Sequence, residues 1–166
     1  MIKEKRKPAG IVAYYYIETD ESENIFYFKV KQSEYIISFL ECDILDGLSS
    51  YSIVIERDVK GVLNTHVAET IMTIIKGLLD ADKVFCFTCD TNDGKQFARH
   101  RLFKRWFSKG EYAELYDMIN MDSNEDLCGG VLIKKSHPNY IAYQTKIIDF
   151  KEQLEEYNPE KKIRIY

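Results

Sequence analysis

No apolar run in this chain approaches the roughly 20 residues that cross a bilayer. The longest, such as Val84 to Cys89, are far shorter, so no membrane span is expected. The opening stretch from Met1 to Lys7 is charged and leads straight into Pro8-Ala9-Gly10 without an apolar h-region or a small-residue cleavage site, which excludes a signal peptide. Positive charge is in deficit, with 23 Lys and Arg against 27 Asp and Glu, so no chain-wide field gathers nucleic acid or anionic lipid. Cysteines are few and irregularly placed, at 42, 86, 89 and 128. Without an export signal this favours reduced thiols and a cytoplasmic location over a disulfide framework. There is no linker rich in Pro, Gly or Ser, no internal repeat and no low-complexity tract, which points to a single domain over residues 1–166 with residues 1–10 flexible. Nucleophile elbow, P-loop and dinucleotide glycine fingerprint are all missing.

What is present is the composition of a folding chain: 45% apolar and 13% aromatic, with 12 Tyr and 9 Phe in 166 residues. Strands are expected at Ile11 to Ile17, Ile25 to Lys31, Tyr35 to Leu40 and Tyr51 to Glu56, joined by short polar connections, hence an antiparallel meander. In the second, Phe26 and Phe28 share one face and Ile25, Tyr27 and Lys29 the other, so one side of the sheet should be drier. The period then changes. Val67, Ile71, Ile74, Ile75 and Leu78 recur at three- and four-residue spacing, predicting a helix over His66 to Asp80 capped by Asn64 or Thr65. Val84 to Cys89 is apolar at both alternating sets, as in a central strand covered on both faces. A helix to about Phe107 follows the turn Asp90-Thr91-Asn92-Asp93-Gly94, with Asp93 and Gln96 spaced as a capping box. A further amphipathic stretch is read at Tyr112 to Ile119, a strand at Val131 to Lys134, and a last helical region after His137-Pro138 with Ile147, Phe150, Leu154 and Tyr157 at helical spacing. A final strand is read at Lys162 to Tyr166. The fold class is α+β: a mainly antiparallel sheet begun by a four-strand meander, joined by a central strand and covered by two to four helices.

The strand, turn and helix from Val84 to Phe107 form the candidate functional region, because a turn leaving a buried strand and entering a helix presents unpaired backbone N–H groups and the positive end of a dipole. On a helical wheel Ala98, Leu102, Phe103 and Trp106 share one arc, with His100, Arg101, Lys104 and Arg105 roughly opposite. Arg99 falls within the apolar arc, and Lys95 lies near the same line one turn earlier. A cation there needs a partner. Either Asp90 or Asp93 supplies it and the arrangement is structural, or Asp90, Asp93, Gly94, Lys95 and Arg99 hold an anionic ligand. The segment Cys89-Asp90-Thr91-Asn92-Asp93-Gly94-Lys95-Gln96-Phe97-Ala98-Arg99, with Leu102-Phe103 and Trp106-Phe107, resembles the signature of a family of uncharacterised bacterial proteins: Cys-Asp, two residues, Asp-Gly, Lys or Arg, Gln, then Arg, Phe and Trp-Phe. The resemblance covers most of the chain and implies that Asp90, Asp93, Gly94, Arg99, Phe103 and Trp106 are the positions to watch. It implies no activity.

Other motifs weaken on inspection. Cys86 and Cys89 have CxxC spacing, but on a strand they point to opposite faces. The sequence offers no close ligand pair for a metal and no cofactor site. The Asp90 to Gly94 stretch departs from a calcium loop, with its glycine one position early and Arg101 where the closing Glu belongs. His66, His100 and His137 stand alone, without a neighbouring nucleophile to serve. The reading is a binding or regulatory module of a bacterial cytoplasm that recognises a small anionic ligand or a protein partner at the Asp90 to Arg99 turn. An alternative is an enzyme on a phosphorylated or nucleotide substrate, with Asp90 or Asp93 as base or metal ligand and Arg99 as stabiliser. A third is nucleic-acid binding through Arg101, Lys104 and Arg105, disfavoured by the acidic chain.

Overall fold

The computed structural model describes residues 5–12, 14–58, 64–88, 94, 96–121 and 129–156. Its architecture is α+β, with eight strands and four helices among these residues and an antiparallel meander at the N-terminus. Contacts gather the chain into two units, one from residues 1–42 and 51–83, the other from 43–50 and 84–166. The chain leaves the first unit at 42 and returns at 51, so the division follows no linker of unusual composition.

In the first unit the strands are β1 (Arg6–Val12), β2 (Tyr15–Asp20), β3 (Ile25–Val30), β4 (Ser33–Cys42) and β5 (Ser50–Arg57), adjacent in that order. The meander thus has one strand more than the sequence suggested. Residues 6–10, expected to be flexible, form most of β1, and Ile11 to Ile17 is the middle of a hairpin in which Arg6 faces Asp20 and Val12 faces Tyr15. The physical reasons are local. Arg6 donates to Glu34 at 2.7 Å and Lys7 to Glu23 at 2.6 Å, while a register shift between Pro8 and Gly10, with Gly10 at φ +92, absorbs the irregular stretch. Proline is tolerated because β1 ends the strand order of this unit.

Alternation sorts the meander into two faces. Ile17, Phe28, Tyr35, Ile37 and Phe39 are all but fully buried, and β2, β3 and β4 send them to one side. Phe28 stacks on Tyr35 at 5.2 Å and on Tyr15 at 5.5 Å. Glu18, Tyr27, Lys29 and Glu34 share the other side, since Glu18 faces Tyr27 and Lys29 faces Glu34. The β2–β3 connection is fixed by Asp20, whose carboxylate accepts from the backbone N–H groups of Asn24 at 3.1 Å and Ile25 at 3.0 Å, and from the Ser22 hydroxyl. Its burial would raise the carboxyl pKa, but these hydrogen bonds outweigh that and hold it below the usual range.

Helix α1 (Thr65–Asp80) completes the unit. Asn64 caps it by accepting from Val67 N–H at 2.9 Å. The expected face is buried at Val67, Ile71, Ile74 and Ile75, joined by Met72 and Leu79, while Leu78 is half-buried; each fully buried side chain stabilises the fold by roughly 1.5–3 kcal/mol. At the other end Lys83 N–H returns to the carbonyl of Leu78 at 3.1 Å and Asp82 N–H to that of Leu79 at 3.0 Å. Asp82 there adopts φ +61, the left-handed position that closes many helices. Tyr14 stacks on His66 at 3.9 Å, tying the first hairpin to the helix start.

In the second unit β6 (Phe85–Thr88), β8 (Gly129–Lys134) and β7 (Tyr116–Asn120) are adjacent in that order and antiparallel. Val84, Phe85, Cys86 and Phe87 are all buried, and so are Val131, Leu132 and Ile133; both faces of β6 and β8 are therefore covered. The helices are α2 (Gln96–Phe107), α3 (Gly110–Leu115) and α4 (Tyr140–Glu156). The amphipathic reading of Tyr112 to Ile119 is corrected: the helix stops at Leu115, and Tyr116 to Asn120 pair with β8 instead, Tyr116 facing Lys134 and Asn120 facing Gly130. Helix α4 buries Tyr143 and Ile147, and its Tyr143 hydroxyl donates to the Ser49 carbonyl at 2.6 Å. The Leu154 side chain, Tyr157 and the strand read at Lys162 to Tyr166 lie outside the described residues.

Candidate functional site

The site region starts from a buried strand. Phe87 is the last described side chain of β6, and the Phe87, Gly130 and Asn120 backbones stand side by side across the three strands. A Cβ on Gly130 would sit 2.9 Å from the Ile119 carbonyl oxygen and 3.0 Å from the Phe87 ring, so glycine is what lets the ring lie against the strand backbone. Helix α2 settles on that ring: Phe103 stacks on Phe87 at 5.1 Å, His100 approaches it at 6.0 Å, and Trp106 meets Phe103 edge-on at 5.4 Å.

This packing turns α2 relative to the wheel read from sequence. His100 and Phe107 are buried, Leu102, Phe103 and Trp106 are half-buried, and Ala98 is exposed. The arc keeps Leu102, Phe103 and Trp106 but moves by about 50°, losing Ala98 and reaching past Phe103 to Phe107 and His100. His100, assigned to the solvated face, is instead a core residue over Phe87. Arg101, Lys104 and Arg105 are exposed as expected, and Lys109 with them.

Gly94 is exposed at φ +68, a left-handed conformation that suits glycine, two residues ahead of the helix. Asp90, Asp93 and Lys95 lie outside the described residues, as does the Arg99 side chain, though Arg99 belongs to α2. The proposed Asp93 cap falls on the same stretch. Helix α2 carries Arg99, Arg101, Lys104 and Arg105 and no acid in its 12 residues. Lys104 and Arg105 occupy the last turn, where cations also complement the helix dipole.

Two polar residues nearby escaped the sequence reading. Asn120, facing Gly130, has its side-chain oxygen buried without a hydrogen-bond partner among the described residues. Tyr140, at the start of α4, donates to the Asp117 carboxylate of β7, and that bond, followed by burial, lifts its phenol above the usual range. Neither has a periodic signal: an asparagine at a strand end and a tyrosine two residues after a proline look like turn chemistry. His137 is buried and accepts from Asn139 N–H at 3.0 Å through Nδ1, a turn-fixing role. His66 is exposed and stacked on Tyr14. Cys86 is buried in β6, and Cys89 lies outside the described residues. Among the described residues no group of three His, Cys, Asp or Glu side chains is placed to hold a metal ion, and no helix is long and apolar enough to cross a membrane.

Fold and site together define an α+β protein whose candidate region is bounded by strand β6 and the basic helix α2. Residues 64–158 match the model described as "Family of unknown function (DUF6169)", and the chain belongs to that family. The matched range runs from the cap of α1 through all of α4 and contains the strand, turn and helix singled out from the sequence. No curated protein and no solved structure matches the chain.

Proposed function

We propose that this chain is a cytoplasmic binding module whose ligand is a small anion, phosphate- or carboxylate-bearing, received at the start of α2. The observation that carries the reading is charge. Four cations and no acid stand on the 12 residues of α2, in a chain whose net charge is −4. Local enrichment of one sign against the chain's own balance creates an attractive potential along α2, and Arg99 stands near its start, where the helix dipole is also positive. Phe87, Phe103 and Phe107 hold α2 on a packed strand, so the cations ride on a rigid element rather than a loop. In this reading Lys95, Arg99 and the backbone N–H groups near Gly94 contact the anion, and Asp90 and Asp93 orient the cations.

A thermal-shift series with inorganic phosphate, nucleotides and sugar phosphates tests it, run on the native chain and on Arg99→Ala. A ligand at about a hundred times its dissociation constant stabilises the fold by about 2.7 kcal/mol. The expected result is a phosphate-dependent rise in Tm that a folded Arg99→Ala loses. No rise with any anion contradicts the reading. Exposed Arg101, Lys104 and Arg105 favour a longer polyanion as the competing ligand. Salt-dependent oligonucleotide binding that survives Arg99→Ala but is lost in the triple alanine variant would replace the small-anion reading with that one.

A further inference from the structure

A concavity lies in the first unit, on the polar face of the meander. It is a half-open bowl of about 230 Å³ lined by Arg6, Tyr16, Glu18, Tyr27, Lys29 and Glu34 among others. Its floor is a stack. The Tyr27 ring is 4% exposed, and the Arg6 guanidinium lies over it with Cζ 3.7 Å from the centroid, a cation–π contact. Arg6 is also closed in the plane by Glu34 at 2.7 Å. One acid and one cation of the bowl are thereby engaged with each other.

Glu18 joins that pair more loosely, 3.9 Å from the same guanidinium and 43% exposed. Lys29 is exposed and forms no ion pair among the described residues. Glu18 faces Tyr27 across the β2–β3 pair, and Lys29 follows Tyr27 by two residues on the same face. The two are diagonal neighbours, roughly 7–8 Å apart at the backbone, and both line the bowl. A ligand of one charge gains one of these partners and meets the like charge of the other. A ligand carrying both signs satisfies both. The volume lies below the roughly 300–1,000 Å³ of sites for drug-sized molecules, so the ligand is small.

We infer that this bowl binds a small zwitterion of the free amino acid class, Glu18 receiving the ammonium group and Lys29 the carboxylate over the Arg6–Tyr27 stack. The site lies outside the family-matched residues 64–158 and is independent of the anion reading at α2.

The experiment is an amide NMR titration of the full chain with glycine, alanine, glutamine and phenylalanine, alongside acetate and methylammonium at equal concentrations. Saturable shifts at Glu18, Tyr27 and Lys29 are expected with the zwitterions and not with either half-ligand. Glu18→Gln and Lys29→Met should each weaken binding by about fivefold or more, while Glu21→Gln, an exposed acid outside the bowl, leaves it unchanged. Equal shifts with acetate or methylammonium, unchanged affinity in both charge variants, or no saturable shift with any amino acid would each overturn the assignment. Shifts confined to Gly94–Ala98 report on α2 and count as absence of binding in the bowl.

Discussion

The two units of this protein solve the burial problem differently. The meander alternates: Ile17, Phe28, Tyr35 and Ile37 go to one side, while Glu18, Tyr27, Lys29 and Glu34 go to a wetter one. Strands β6 and β8 of the second unit have no wet face over Val84 to Phe87 or Val131 to Ile133. An antiparallel sheet with one solvated face can carry charged chemistry on its strands, as the Arg6, Glu18, Lys29 and Glu34 group does. A sheet buried on both faces must export its polar chemistry to strand ends and helices, and there the second unit keeps its basic helix. The position of each candidate site thus follows from how its strands are covered.

The largest expected effects test that contrast by parity. Leu132→Ala and Ile133→Ala, on opposite faces of β8, should each cost about 2–5 kcal/mol in urea unfolding. On β4, Ile37→Ala should fall in the same range while half-buried Ile36→Ala costs well under half as much. Equal losses at Ile36 and Ile37, or a cheap face on β8, would break the comparison. Next comes Gly130→Ala, expected to cost about 1–3 kcal/mol because the nearest atom is a backbone carbonyl that cannot turn aside. Phe87→Leu in the same chain should recover part of the loss.

Two smaller effects separate the units by pH. Asp20→Ala should cost about 1 kcal/mol near neutrality. The folded-state pKa of Asp20 is depressed, so its contribution is present above the unfolded value near 3.9 and disappears as pH falls through the folded value. Tyr140→Phe should cost a similar amount. Its folded pKa is raised, so its contribution is full below about pH 10 and disappears as pH rises through the folded value. Stability curves of the two variants should therefore merge with the native one at opposite ends of the pH scale. Smallest of all, the exposed triple Arg101→Ala, Lys104→Ala, Arg105→Ala should change stability by only about 0.5 kcal/mol per site or less.

How much of this was legible depended on the length of each pattern. Helix α1 offers four turns of apolar spacing, and its face was readable from sequence, with Asn64 one of two expected caps. Phe85 to Phe87 reads as doubly buried because a run without alternation has no wet side. The first hairpin was hidden because Ala13-Tyr14 carries none of the glycine, proline, asparagine or aspartate that mark a turn. Its first strand was hidden too, because ion pairs to Glu34 and Glu23 order residues that look like a charged tail. Strand β7 is five residues long, too short to be told from one more turn of α3. The rotation of α2 was unreadable for a different reason. It depends on Phe87 lying over Gly130, a contact between residues 43 positions apart, and that contact draws His100 inward. Of the candidate site, the exposure of Arg101, Lys104 and Arg105 and the glycine before the helix followed from local rules. Asn120 enters only through pairing with Gly130 across β8.

The most direct test of the anion reading is a titration of the ¹⁵N-labelled chain with inorganic phosphate and pyrophosphate, following the amides of Gly94, Gln96, Phe97 and Ala98. Saturable shifts at these four positions, abolished by Arg99→Ala and retained in the Arg101, Lys104, Arg105 triple variant, are the predicted result. Shifts spread over the exposed face of α2 and lost in the triple variant, or no saturable change at Gly94 to Ala98, would contradict it.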